Sequence, residues 1–173
     1  MTKDNKLAIR VLSVKHAGAY ALHIRWSNGK EFTVDLHELV FRLKGLRSLR
    51  DVNVFACAAV GEGGYSIEWP GDRDVGSDRL WEIALEQNGR TDAAEFIRWR
   101  WRNGLSLTAA AEALGVSRRQ IAYYASGEHE VPRTILLACN CLLYTSQRHV
   151  NGGHLSRYWP SGGDFHPAGG LRL

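Results

Sequence analysis

The sequence predicts an α+β module at its N-terminal side, followed by an all-α module. Alternating β-forming residues fill much of the first ninety positions. Short capped helical segments flank a glycine between residues 104 and 127. A polar segment, Gln87–Arg90, separates the two patterns. We therefore expect domains at residues 1–88 and 91–145, and a flexible Gly-, Ser- and His-rich tail at 146–173.

The composition indicates a globular protein. The chain has 173 residues, of which 45% are hydrophobic and 23% charged. It has no apolar run long enough to span a membrane and no signal-peptide core at its start. Its three cysteines, Cys57, Cys139 and Cys141, are too few and too odd in number for a disulfide framework. We expect a cytoplasmic protein.

The N-terminal module begins with strand patterns. Apolar residues alternate from Ala19 to Trp26 and again from Glu31 to Leu36. The segment between them contains Asn28-Gly29, which can supply the two positive φ values of a type I′ turn. This arrangement predicts a β-hairpin.

The rest of the module mixes helices and strands. Helical spacing predicts a helix within Asp35–Leu43, and strands are expected at Asn53–Val60 and Tyr65–Trp69. Ser77 or Asp78 would cap a further helix. The module therefore reads as four or five antiparallel strands with short helices.

This first segment resembles a family of small bacterial domains of unknown function. The matching residues are Ser27-Asn28-Gly29 in the hairpin, the Asp35-Leu36 step, and Trp69 before a Pro-Gly-Asp turn. The resemblance implies a fold and no activity.

Helical patterns dominate after residue 90. A helix is expected from Asp92 to Asn103, capped by Thr91. Its inward-facing residues are predicted to be Ala93, Phe96, Ile97 and Trp101. Pro132 precedes a last predicted helix, Arg133 to about Tyr144.

Two short helices between these meet at Gly115. Ser106 can cap the first and Ser117 the second, which would run from Arg118 to about Ser126 and close at Gly127. Leu107, Ala110, Leu114 and Ile121 form the predicted apolar face. Two helices joined by a tight turn with glycine have the spacing of a helix-turn-helix. An alanine-rich helical hairpin within a larger core is the alternative.

The stretch resembles the lambda-repressor-like (XRE or Cro type) helix-turn-helix family. Aligned on Gly115, Ala111 matches the family's small residue and Ile121 its aliphatic residue. The resemblance implies that the second helix enters a DNA major groove, with Arg118, Arg119 and Tyr123 at base-contacting positions. Arginine can grip guanine with two hydrogen bonds. A solvated helix start, touching only phosphate or water, is the alternative.

Other residues near the two helix starts suit phosphate contact. Ser106, Thr108 and Ser117 lie where helix N-termini bind anions, although simple capping also explains them. Gln120 and Tyr124 are candidates for phosphate contact or packing.

Two positions depart from the family pattern. Leu107 stands where many relatives carry Gln, and Ala125 replaces the Glu that usually pairs with the arginine at position 100. We therefore expect Arg100 to meet Glu128 or Glu130, or to point to solvent or DNA.

No motif indicates catalysis, a cofactor or a metal. The chain has no P-loop and no G-x-G-x-x-G after a strand. Asp72, Asp74 and Asp78 lack the spacing of a calcium loop. Cys139 and Cys141 lie two residues apart on a predicted helix and so should face different directions. We expect a protein that is not an enzyme.

These features predict sequence-specific binding of double-stranded DNA by a transcriptional regulator. The N-terminal module would serve dimerisation or partner binding, giving a possible homodimer; no membrane or small-molecule ligand is indicated. The alternative is a non-catalytic adaptor that uses the helix-turn-helix as a scaffold. The balance of six arginines and five acidic residues at 92–144 favours that alternative, because phosphate neutralisation drives DNA affinity.

Overall fold

The computed structural model describes the backbone of residues 9–150 and the side chains through residue 141. Within this range the strands are β1 Val11–Gly18, β2 Ala21–Trp26, β3 Glu31–Asp35, β4 Ala59–Val60, β5 Ser66–Trp69 and β6 Arg73–Gly76. The α-helices are α1 His37–Arg42, α2 Val52–Phe55, α3 Ser77–Gln87, α4 Thr91–Arg102, α5 Leu107–Leu114, α6 Arg118–Ala125 and α7 Arg133–Val150. Short 3₁₀ helices lie at Lys44–Arg50 and Glu62–Gly64. The described fold is α+β, with antiparallel strands first and several helices after them.

The first sheet has the order β1-β2-β3, and its strands are antiparallel. Leu22, Ile24 and Trp26 on β2 are fully buried, while Arg25 is exposed. The period-2 pattern of side chains in a strand explains this division. The alternation predicted for Ala19–Trp26 is confirmed for these residues.

The turn of the first hairpin differs from the prediction. The Gly29 N–H donates to the Trp26 carbonyl (3.0 Å), and the Trp26 N–H donates to the Lys30 carbonyl (2.9 Å). A type I′ turn needs positive φ at both Asn28 and Gly29. Gly29 has φ +80°, but Asn28 does not have a positive φ, because in the part of the chain that the structure describes Asp72 is the only non-glycine residue that does. The predicted type I′ turn is therefore wrong. The loop has three residues and is a type I turn followed by a left-handed glycine.

The second sheet, β4-β5-β6, also departs from expectation. The segment predicted as strand Asn53–Val60 begins instead as helix α2, because the Asp51 side chain accepts a hydrogen bond from the Asn53 N–H (2.9 Å). Only Ala59–Val60 is a strand. The turn after Trp69 does not end the sheet, because the chain reverses there and returns as β6.

Several predicted helix details are wrong. Ser77 and Thr91 are the first residues of α3 and α4 rather than their caps, and neither helix has a side-chain cap. On α4 the inward positions Ala93, Phe96 and Ile97 are confirmed. Trp99 is buried, however, and Trp101 is only half-buried.

The last helix extends beyond its predicted end near Tyr144, to Val150. Residues 151–173 of the predicted tail lie outside the described residues. Over the described range, no helix has the length and apolar character needed to cross a membrane.

The described residues through Asn140 belong to one compact unit, and a second begins at Cys141. Helix α3 packs against α4, so contacts cross the boundary predicted at residues 89–90. The division into domains at residues 1–88 and 91–145 stays a prediction.

A buried carboxylate joins α3 to α4. Glu82 is 1% exposed and accepts hydrogen bonds from Arg79 (2.5 Å) and Arg98 (2.7 Å). Arg98 also donates to Glu86 (2.9 Å). Hydrogen bonding to Glu82 raises the pKa of Arg98 above its ordinary value. A buried charge needs such partners, because its desolvation is otherwise costly.

Replacing this carboxylate should destabilise the protein. Glu82→Gln keeps the side-chain shape but removes the charge that two arginines share, so we expect a loss of about 2 kcal/mol in the free energy of unfolding. Urea denaturation followed by tryptophan fluorescence measures it.

Glu86→Gln is the matched control, because Glu86 bonds the same Arg98 but its side chain is 50% exposed. Its loss should stay below about 1 kcal/mol. Equal losses for the two variants would contradict a special role for the buried carboxylate.

Candidate nucleic-acid interface

Helices α5 and α6 form the candidate interface, joined by residues 115–117. The Ser106 hydroxyl accepts the Ala109 N–H (3.1 Å), and the Ser117 hydroxyl accepts the Gln120 N–H (3.2 Å). Gly115 adopts φ +66°, a left-handed conformation that glycine reaches at little cost. The two predicted caps and the turn glycine are confirmed.

The two helices rest on a small buried face. Ala110, Ala111, Ile121 and Tyr124 are buried, and the Tyr124 ring meets the Phe96 ring of α4 edge-on (5.8 Å between centroids). Alanines permit this close approach because their side chains are short. Leu107 and Leu114, which were expected in this core, are only half-buried. That part of the predicted apolar face is wrong.

The opposite face of the pair carries the predicted site residues. Arg118, Arg119, Ser117 and Thr108 are exposed. Half-buried positions are held by Ser106, Gln120 and Tyr123. The first turn of α6 therefore presents two guanidinium groups to solvent, diverging by about 100° around the helix axis.

One of these arginines is held in place by its neighbours. The Arg119 Nε donates to the Tyr123 hydroxyl (2.6 Å), and its guanidinium lies 5.3 Å from the centre of the Tyr123 ring. Tyr123 in turn contacts His129, and the centres of their rings are 4.3 Å apart. The His129 Nδ1 lies 3.5 Å from Gln120 Nε2. These contacts restrict the rotamers of Arg119 before any ligand binds.

His129 was missed by sequence reasoning. It lies in the loop between α6 and α7, outside any helical pattern, and only the fold of that loop brings it to Tyr123.

Arg100 does not follow its expected alternatives. It is half-buried, and its Nη1 donates to the Leu105 carbonyl (3.0 Å) at the entry to α5. Burial lowers the pKa of Arg100, and the nearby Asp78 carboxylate acts in the opposite direction. Its described hydrogen-bond partner is thus the Leu105 carbonyl rather than Glu128 or Glu130.

The loop after α6 is held by an ion pair at the start of α4. Arg90 bonds both carboxylate oxygens of Asp92 (3.0 and 2.9 Å), and its Nη2 also donates to the His129 carbonyl (2.8 Å). Asp92 accepts the Val131 N–H (2.8 Å). Burial opposes the ionisation of Asp92, but these hydrogen bonds and that from the Ala93 N–H outweigh it, and the pKa is about 2.

Within the described residues, no group of three or more His, Cys, Asp or Glu side chains is arranged to hold a metal ion. Cys139 is buried and Cys141 exposed. Burial and the neighbouring Glu95 raise the pKa of the Cys139 thiol to about 12, so this thiol stays protonated.

Two comparisons bear on this architecture. Residues 11–86 match a family described as "Protein of unknown function (DUF2442)", which confirms the resemblance of the first segment. The chain is also similar to a crystallised protein named "Putative DNA Binding Protein NE0471", from Nitrosomonas europaea ATCC 19718. The two are 34% identical, the match covers 88% of this chain and 96% of the other, and the TM-score is 0.59. No curated protein sequence matches the chain.

The fold and the family match define an α+β protein in which residues 11–86, with the antiparallel strands, form a DUF2442 domain that is followed by further helices. The chain belongs to the same family as the Nitrosomonas protein NE0471. The lambda-repressor-like assignment of residues 91–145 stays a prediction.

The ion pair at Asp92 predicts a specific acid sensitivity. A folded-state pKa of about 2, below the ordinary 3.8, stabilises the fold fully above the unfolded value, and this stabilisation is lost as pH falls toward 2. Asp92→Asn should therefore cost about 2 kcal/mol at pH 6 and progressively less between pH 4 and 2. Urea denaturation at several pH values measures the difference, and a gap independent of pH would contradict the assignment.

Proposed function

We propose that this protein binds double-stranded DNA in a sequence-specific way and acts as a transcriptional regulator, with α6 as the reading helix. The observation that carries the proposal is the exposed Arg118-Arg119 pair on the first turn of a helix whose other face is buried. A recognition helix presents its N-terminal residues to base edges. The name of the Nitrosomonas relative supports the same class of ligand.

The contacts of Arg119 suit it to base reading. Its Nε donates to the Tyr123 hydroxyl, and the residue is exposed, so the N–H groups of its two terminal nitrogens can serve a ligand. The planar fork of these N–H groups matches the O6 and N7 atoms of guanine. Orientation before binding lowers the entropic cost of placing the side chain. We assign Arg118, which points about 100° away, to a flanking phosphate.

The helix caps can also contact phosphates. The hydroxyls of Ser106 and Ser117 accept backbone N–H groups, yet each hydroxyl retains a hydrogen that it can donate. Thr108 is exposed on the first turn of α5. Phosphate contacts of this kind fix the position of a protein on the duplex without reading sequence.

We propose that the N-terminal domain serves dimerisation and performs no catalysis. One reading helix covers a half-site, so such proteins usually bind paired half-sites as dimers. The outer edge of β3 is the proposed interface. Gln87 covers one end of that edge by bonding both the N–H (2.9 Å) and the carbonyl (2.7 Å) of Asp35, which leaves the stretch at Glu31 and Thr33 for a partner strand.

An exposed aromatic cluster favours the second candidate, a non-catalytic adaptor. The Phe41 side chain is exposed, with the His37 ring stacked on it at 4.5 Å and the Arg50 guanidinium 5.0 Å from its centre. Exposed aromatic and arginine side chains are enriched at protein interfaces. A protein partner at this cluster would fit an adaptor, and DNA affinity separates the two candidates.

Two substitutions test the assignments on α6. On a site selected from random DNA, Arg119→Ala should weaken binding by about 1–3 kcal/mol and relax selectivity at one base position. Arg118→Ala should weaken all sequences alike and reduce the slope of log affinity against log salt by about one. Fluorescence anisotropy at several salt concentrations measures both effects.

Both variants should keep the parent melting temperature, because the core beneath α6 is formed by Ala110, Ala111, Ile121 and Tyr124. If both bind the selected site as tightly as the parent, α6 is not the reader. If the parent itself shows no DNA affinity at moderate salt, the adaptor becomes the leading candidate.

The oligomeric state tests the proposed interface. Thr33→Pro removes a backbone N–H that faces away from β2, since the bonded positions on β3 are the alternate residues. We expect the parent to be a dimer on DNA and this variant to be a monomer of similar melting temperature. Light scattering of both proteins decides, and a monomeric parent, alone and on DNA, would remove the proposal.

A further inference from the structure

Three side chains from elsewhere in the chain donate hydrogen bonds to backbone carbonyls at the carboxyl end of α6 and just after it. These three contacts are the junction. The Trp81 Nε1 donates to the Ala125 carbonyl (3.1 Å). The Lys30 Nζ donates to the Gly127 carbonyl (3.1 Å), and the Arg90 Nη1 donates to the same oxygen. Lys30 and Trp81 both lie within residues 11–86, the DUF2442 domain. The Trp81 and Lys30 bonds span 44 and 97 positions of sequence.

We infer that the DUF2442 domain positions the reading helix, with Lys30 and Trp81 as the positioning residues that hold the carboxyl end of α6. The inference rests on the proposed function, because the junction can position a reading helix only if α6 reads DNA. Lys30 and Trp81 are proposed to contact the helix and not the nucleic acid.

The junction is continuous with the core of the first sheet. The Trp81 ring meets the Trp26 ring at 5.0 Å and the Phe32 ring at 5.8 Å between centroids. The Lys30 ammonium lies 5.9 Å from the centre of the same Trp81 ring. The β2–β3 hairpin, α3 and the end of α6 therefore pack against one another through Trp81.

Helix electrostatics favour the Trp81 donor. The Ala125 carbonyl is among the last carbonyls of α6, which have no partner within the helix and carry partial negative charge, so an N–H donor stabilises that end. The Gly127 carbonyl follows α6 by two residues, and Lys30 and Arg90 donate to it. Desolvation and the Arg90 charge lower the pKa of Lys30, whereas Glu128 raises it. Lys30 is half-buried, and its ammonium bonds the Gly127 carbonyl just after α6.

The helix end also has little room to move. Gly127 adopts φ +62°, and a Cβ added there would lie 2.7 Å from Leu85 Cδ2 on α3. A side chain at this position would both strain the backbone and press on a fully buried leucine. The glycine therefore lets α6 end directly against the DUF2442 domain.

This contact can reach the proposed reading residues because α6 is short. Eight residues of α-helix span about 12 Å, so Arg118 and Arg119 lie only two turns from the gripped end. A change of tilt at that end shifts the arginines relative to the base edges. A base contact, which carries the sequence information, is lost when the side chain moves away from its base edge. Phosphate contacts carry no sequence information, so the shift should affect specific binding more than non-specific binding.

Lys30→Met tests the inference, since it keeps the aliphatic stem and removes the ammonium. We expect affinity for the selected DNA site to fall by about twofold to thirtyfold, with non-specific affinity and the salt slope as in the parent. A direct phosphate contact by Lys30 would instead reduce the salt slope by about one, and that result would overturn the inference. Lys15→Met, which removes an exposed lysine on β1, is the matched control and should bind like the parent.

Amide hydrogen exchange provides a readout that needs no DNA. The N–H groups of residues 126–129 bond back to carbonyls of α6. Lys30→Met should speed their exchange while leaving the amides of α5 unchanged. Unchanged exchange at 126–129 would overturn the positioning role.

Trp81→Phe is the second variant, because it removes the donor to Ala125 while keeping an aromatic ring. It should lower specific affinity by a similar factor, and it keeps the inference testable if Lys30→Met fails to fold. If the parent binds selected DNA and both folded variants bind it equally well, the inference fails and the proposed function stands. If the parent shows no specific binding, the proposed function and the inference fail together.

Discussion

Helix α3 packs on the first sheet and on α4 at the same time, and the placement of the later helices in the described unit depends on these two contacts. Its Trp81 packs on the first sheet, and its buried Glu82 takes hydrogen bonds from α4 as well as from its own helix. A carboxylate at this depth is tolerated only with such partners, so the ion pair fixes α4 relative to the strands. The helices that follow are then built on α4.

The candidate interface follows from that arrangement. Because α6 packs on α4 and is gripped at its carboxyl end, its amino end is left exposed with Arg118 and Arg119. The side chains around Arg119 restrict it further through Tyr123 and His129. A surface that is ordered before binding loses less entropy when a ligand binds.

Much of the local structure could be predicted from the sequence. Ser106, Gly115 and Ser117 were identified because capping and positive φ depend on the residue and its immediate neighbours. The α+β order of elements and the burial of Leu22, Ile24 and Trp26 followed from periodicity. Predictions failed where two local rules competed. Asp51 capped a helix within a segment of β-forming valines, and the first hairpin used a three-residue loop in place of the expected two-residue turn.

The sequence by itself determined the caps of α5 and α6, the turn glycine and the identity of the exposed arginines, since these depend on neighbours a few positions away. Tertiary structure decided which side chains meet across the chain. Trp81 reaches the Ala125 carbonyl, and Lys30 reaches the Gly127 carbonyl. The conformation of the loops at residues 103–106 and 126–132 decided that Arg100 bonds the Leu105 carbonyl and that His129 meets Tyr123. No spacing rule predicts a contact between positions 30 and 127, because it exists only after the sheet, α3 and α6 have packed together.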